Sequence, residues 1–222
     1  MNFLAHIYLS GNNKLLMVGN FIGDAVKGRR YEGLQPIVRK GVLMHRAIDD
    51  FTDRHPINAK IRKLLHPHFG KYAGVYLDMF YDHFLAAGWN DFSKEVSLKT
   101  FCNRFYFDAI LKYKYLPLKI RLLLNIFIIG NRLKNYSKLD SLRDSLEMMH
   151  KYLNLPVTGE YAIKCLEDNY DAIKAAFYEF FPLLINYTRI WRENSDNRVQ
   201  LPDSFLTRFK NQSNLSNMLS NG

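Results

Sequence analysis

Apolar residues recur at helical spacing along almost the whole chain, and no run of strict alternation is long enough to specify a sheet. Leu16, Phe21, Ile22, Ala25 and Val26 give one amphipathic segment. Val42, Ala47, Ile48 and Phe51 give a second, and Val75, Leu77, Met79, Phe80 and Phe84 a third. Turn-forming residues separate the segments: Gly11-Asn12-Asn13, Gly28, Gly33, His55-Pro56, Pro67, Gly70, Pro117 and Pro156. Ser93 with Glu95, and Pro156 ahead of Thr158, read as helix starts. The pattern predicts an all-α fold: a single compact domain of about seven or eight helices over residues 1–192. Residues 193–222 are rich in Asn and Ser and poor in large apolar side chains, which predicts a mobile polar tail, with a short docked helix conceivable around 205–209.

With 222 residues the chain is long enough to bury a core, and 16 Phe and 14 Tyr predict one rich in rings. The greasiest stretch, 116–129, is interrupted by Lys119, Arg121 and Asn125 and is shorter than the roughly 20 residues a membrane span needs. It reads as a buried helix. The apolar N-terminus lacks a basic n-region and a small-residue cleavage site, so a cytoplasmic protein is expected. Cys102 and Cys165 are too far apart for a zinc knuckle or a redox pair and read as reduced, buried thiols.

Chemistry concentrates in the first ninety residues. Residues four apart on a helix lie about 40° from each other and share a face. Four polar pairs have this spacing inside otherwise apolar helices: Asn2 with His6, Asn20 with Asp24, His45 with Asp49, and Asp78 with Asp82, which His83 follows. Buried carboxylates and imidazoles need compensation, and a divalent cation held between helices supplies it. Any single one could instead be a cap, an ion-pair partner or a solvated group; Asp50, for instance, is placed to pair with Arg46, and Asp53 reads as a surface or capping group. Their number points to a metal site. His55, His66 and His68 sit beside proline or in a loop and read as solvent-facing. An Asp/His donor set with few thiols suits Mn²⁺, Mg²⁺ or Fe²⁺. No P-loop, G-x-G-x-x-G, G-x-S-x-G or H-E-x-x-H is present, which leaves kinase, Rossmann and serine-hydrolase chemistry without support.

Lys plus Arg total 31 against 21 Asp plus Glu, a net charge of +10 that favours an acidic or phosphorylated partner. The cations are dispersed, with neither a helix-turn-helix nor a basic stripe interleaved with aromatics, so nucleic acid is not the expected partner.

Four ordered blocks, MNFLAHIYLS, GNFIGDAVKG, GVLMHRAIDDFTDRHP and YLDMFYDHFLAAGW, resemble the acyl carrier protein phosphodiesterase family, with a weaker echo at FYEFFPLL, residues 177–184. The resemblance implies a divergent, HD-phosphohydrolase-like helical fold and a divalent metal, typically manganese. It also implies hydrolysis of the 4′-phosphopantetheine arm from holo-acyl carrier protein, a small acidic partner that suits the chain's charge. The adjacent His-Asp pair that names the superfamily is absent; the chain has Asp82-His83 instead. Asp24, His45, Asp78 and Asp82 are the expected metal ligands. Asp49 is the expected base or a further ligand. His6 and His83 are expected to bind metal, orient a ligand or protonate the leaving serine. Lys27, Arg29, Arg30 and Arg46, with Arg39, Lys40 and Arg54 nearby, are the expected partner contacts. The competing expectations are a phosphohydrolase of the same fold acting on a nucleotide or other small phosphodiester, and a non-catalytic basic helical binding protein.

Overall fold

A computed structural model describes residues 1–194; the proposed tail from 195 onward, and the conceivable helix at 205–209, lie outside the described residues. Every regular element among the described residues is helical. They are α1 (Phe3–Leu9), α2 (Lys14–Phe21), α3 (Pro36–Arg54), α4 (Pro56–Phe69), α5 (Ala73–Ala87), α6 (Trp89–Phe92), α7 (Leu98–Leu111), α8 (Leu118–Ile129), α9 (Arg132–Asn135), α10 (Leu139–Leu153), α11 (Gly159–Asp168) and α12 (Tyr170–Asn194). Eight of these have ten residues or more; of the shorter four, α2 lies in the first amphipathic segment, and α1, α6 and α9 are too short for apolar periodicity to register. Helix α12 continues two residues past the expected domain end at 192.

Side-chain caps mark three of the helix starts. The Asn13 side chain accepts from the N–H groups of Leu15 and Leu16 and starts α2. Thr158 starts α11 as expected. The expected start at Ser93 is displaced: that residue ends α6, and Ser97 caps α7 instead. Pro67 does not break α4, which runs on to Gly70, where a φ of 54° turns the chain. The core is ring-rich. Phe177, Phe180 and Phe181 of α12 are buried together with Phe51 of α3 and Tyr81 and Phe84 of α5.

Helices α2 and α3 cross at glycines. A Cβ on Gly19 would overlap the Val38 carbonyl oxygen and lie 2.9 Å from the Gly41 Cα, and a Cβ on Gly41 would lie 2.7 Å from the Gly19 Cα. Only hydrogen side chains permit this approach, and it brings Asn20 of α2 against His45 of α3.

His55, expected to face solvent, is buried at the α3–α4 joint between Phe51 and Phe180, with ring centroids 5.5 and 5.0 Å away. Among the described residues neither ring nitrogen has a hydrogen-bond partner. Burial lowers its pKa to about 4. The folded state therefore holds a neutral ring that the unfolded chain protonates below about 6.5, so stability is lost as pH falls from 6.5 toward 4. Urea unfolding of wild type and His55→Phe at pH 7 and pH 4.5 is expected to show the variant losing about 2 kcal/mol less over that interval. Equal losses would show that His55 carries none of this acid sensitivity.

Candidate metal centre

His6 projects from α1, His45 and Asp49 from one face of α3, and Asp24 from the 3-10 turn Gly23–Ala25 that follows α2. One nitrogen from each imidazole and one carboxylate oxygen of Asp49 lie within 4.8 Å of one another. The two rings stack with centroids 3.9 Å apart and planes inclined by 18°. Gly23 makes room for them, since a Cβ there would overlap the His45 ring.

Asn20, fully buried, orients both imidazoles. Its amide nitrogen donates to the His6 carbonyl (2.8 Å) and to Ser10 Oγ (2.9 Å), which leaves its Oδ1 as an acceptor for His6 Nδ1 at 2.8 Å. Its backbone carbonyl accepts from His45 Nδ1, also at 2.8 Å. Both rings therefore carry their hydrogen on Nδ1 and turn the Nε2 lone pair toward the carboxylates. His6 Nε2 lies 3.2 Å from Asp49 Oδ1 and 2.9 Å from the Met1 carbonyl oxygen. His45 Nε2 lies 3.1 Å from Asp49 Oδ2 and 3.4 Å from Asp24 Oδ1, and finds no well-aligned hydrogen-bond partner. Lone pairs facing lone pairs repel unless a proton or a cation lies between them.

At His45 a proton takes that place when no metal is bound. Burial alone would lower His45, but the Asp24 and Asp49 carboxylates outweigh it and raise its pKa to about 9. Burial, joined by the neighbouring His45, drives His6 down to about 4. Burial works to raise Asp49, yet the two imidazoles hold its carboxyl well below the usual range. Two imidazoles and two carboxylates without a thiolate fit a borderline divalent ion such as Mn²⁺, Fe²⁺ or Zn²⁺. The free cysteines Cys102 and Cys165 are buried elsewhere.

The other expected ligands are differently placed. Both Asp82 oxygens accept backbone N–H groups at the start of α1, Leu4 at 2.8 Å and Ala5 at 3.0 Å. That helix start has no side-chain cap of its own, and Asp82 supplies one from 78 residues away. Asp82 stands outside the donor cluster. Asp82→Ala leaves two buried donors without acceptors, so a loss of about 3 kcal/mol is expected in chemical denaturation; a loss below about 1 kcal/mol would show that α1 finds another cap. Asp78 also stands outside the cluster, with Oδ1 2.9 Å from the Met1 amine. His83 is taken up by structure: Nδ1 donates to the Tyr136 carbonyl at 2.8 Å, and Nε2 accepts from the Tyr170 hydroxyl at 3.2 Å. It follows Asp82 by about 100° of helix and so faces a different neighbour.

Among the expected partner contacts, Lys27, Arg29 and Arg30 are exposed on the loop after Asp24, and Arg29 pairs with Glu32 at 2.6 Å. Arg46 is a positioning residue. It does not pair with Asp50, which takes Arg54 at 2.7 Å. Instead it donates to the carbonyls of Val26 (2.9 Å) and Gly28 (2.6 Å) and lies over the Tyr31 ring, pinning the loop beside Asp24. Asp53 meets Arg62 at 3.5 Å. Sequence reasoning passed over the orienting role of Asn20 and the spacing roles of Gly19, Gly23 and Gly41. The residues GNFIG around Asn20 were the available signal, because glycines on both sides of a polar residue mark close approach.

Fold and donor set together describe a helical protein with a buried Asp/His cluster whose donors could hold a divalent ion. The match to known families covers residues 1–184 and is to acyl carrier protein phosphodiesterase; this chain belongs to that family. Similar proteins carrying that name include one from Photorhabdus laumondii, 29% identical over 188 residues (83% of this chain and 93% of the relative). Another, from Yersinia enterocolitica, is 26% identical over 187 residues, covering 84% and 96%. A third, from Escherichia coli, is 28% identical over 185 residues, covering 83% and 96%. No solved structure matches the chain.

Proposed function

We propose that this protein hydrolyses the phosphodiester joining 4′-phosphopantetheine to a serine of holo-acyl carrier protein, using a divalent metal held by His6, His45 and Asp49, with Asp24 as fourth donor. The observation that carries the reading is the pair of Asn20-oriented imidazoles whose Nε2 lone pairs converge on the Asp49 carboxylate. Family membership supplies the substrate class.

A divalent ion at this position would neutralise charge on the phosphoryl oxygens and make hydroxide available near neutral pH. The chain's own residues do the rest. Asn20 fixes both imidazoles, so the donors keep one geometry through turnover. Asp24 is largely exposed and marks the open edge by which a phosphodiester enters. Arg46 holds the loop that bears Lys27, Arg29 and Arg30 beside that edge, where cations attract an acidic protein. Water attacks phosphorus, the bond to the serine oxygen breaks, and that oxygen takes up a proton. His83 is too committed to Tyr136 and Tyr170 to donate it.

Incubation with Mn²⁺ and holo-acyl carrier protein, followed by mass spectrometry of the carrier, tests the reading. Apo-carrier and free phosphopantetheine are expected. Intact holo-carrier beside a cleaved generic phosphodiester would assign the protein to small phosphodiesters instead. No cleavage of either, with no bound metal, would leave a binding protein.

A further inference from the structure

Helix α8 is apolar on two opposite faces, and among the described residues only one of them is covered. Ile120, Leu124 and Phe127 are buried, and the Phe127 ring meets Phe3 of α1 with centroids 5.0 Å apart. On the opposite face Leu118, Leu122, Ile126 and Ile129 follow at intervals of four, four and three residues, within about 80° of one another around the helix. They are 71, 60, 42 and 87% exposed. The stretch expected to be a buried helix is thus half correct. Singly exposed apolar residues are ordinary, but a stripe of four on one helix marks a contact surface.

Its charge selects the partner. From residue 109 to 139 the chain has seven cations, Lys112, Lys114, Lys119, Arg121, Arg132, Lys134 and Lys138, and no Asp or Glu. That single segment holds +7 of the chain's net +10. Its position matters as well. The bond cut in the proposed reaction is at the carrier's own serine, so the carrier surface itself must come up to the metal centre. A small-protein interface buries about 800 Å² on each partner, a footprint some tens of ångströms across. One ring contact, Phe127 against Phe3, ties α8 to α1, the helix that supplies His6.

We infer that the outer face of α8 is the docking surface for the acidic carrier protein. Leu118, Leu122, Ile126 and Ile129 make the apolar centre of the contact, and the net positive charge of the segment, with Lys114 and Lys138 exposed on it, steers the approach. This rests on the proposed function for the partner's identity but not on turnover. An anionic membrane would suit the same chemistry in part, yet the proposed reaction requires contact with the carrier and requires no membrane. No described helix is long and apolar enough to cross one.

The test is direct binding of purified holo-acyl carrier protein, by calorimetry at two ionic strengths, to the full chain and to Leu122→Glu, Ile126→Glu and the conservative Leu122→Met. Circular dichroism and thermal midpoint serve as folding controls. Both glutamate variants are expected to fold normally and to bind at least tenfold more weakly, Leu122→Met is expected to bind like wild type, and added salt is expected to weaken wild-type binding. Normal binding by folded glutamate variants overturns the docking surface and leaves the proposed function standing. Carrier binding through this face with no hydrolysis overturns the function and leaves the docking surface standing. Binding to phosphatidylglycerol vesicles but not to carrier, lost in Leu122→Glu, makes this a membrane face and overturns the proposal. So does a wild-type dimer that Leu122→Glu renders monomeric.

Discussion

Replacing His45 with alanine is expected to remove divalent-metal binding and, with it, phosphodiester hydrolysis. The ring contributes one of two imidazole donors, and its Nε2 is the atom nearest both Asp24 and Asp49. A metal-dependent hydrolase deprived of a ligand loses both charge neutralisation and its hydroxide, so a fall of about 10³-fold or more in kcat/KM is expected. Fold and secondary structure are expected to persist, because the α2–α3 crossing rests on Gly19 and Gly41, while the ring adds one hydrogen bond to it. Asn20→Ala is the graded companion. It keeps every donor but frees the His6 ring, and about 10- to 100-fold weaker metal binding is expected. Isothermal titration with Mn²⁺ on both variants, beside hydrolysis assays, measures the two effects. Wild-type metal affinity in His45→Ala would place the ion somewhere else.

The other large effect falls on the fold. In Gly41→Ala the new methyl would overlap the Leu16 carbonyl oxygen and lie 2.7 Å from the Gly19 Cα, both backbone atoms of α2. Neither is the flexible end of a side chain, so the helices must part. Overpacking of this kind costs about 3 kcal/mol. Separation of α2 from α3 also moves Asn20 away from His45, so metal affinity should fall together with stability. Gly33→Ala is the control, since a Cβ there meets nothing within 4 Å. Thermal melts with and without Mn²⁺ compare the two. An unchanged midpoint in Gly41→Ala would contradict the close crossing.

The sequence made the centre legible to the extent that its geometry is local. His45 and Asp49 are four apart on α3 and do share a face, as helical spacing requires. The Asn20–Asp24 pair did not obey the same rule, because α2 ends at Phe21 and Asp24 lies in a 3-10 turn; it reaches His45 through tertiary packing. Asp78 and Asp82 share α5 as expected, yet Asp82 serves the backbone of α1. No periodicity within α5 encodes the need of backbone donors 78 residues away. His55 shows the same limit in reverse. Its neighbour Pro56 suggested a solvent-facing turn, but Pro56 opens α4 and the ring turns inward. The long helices were readable because their identity depends on period alone; the roles of buried polar residues depend on which helices meet.

The most direct measurement is pulsed electron paramagnetic resonance of Mn²⁺ bound to the purified protein, read for coupling to imidazole nitrogen. Two coupled imidazoles are predicted, with one lost in His6→Ala. An all-oxygen environment, or two couplings that persist in His6→Ala, would contradict a centre built on His6, His45 and Asp49.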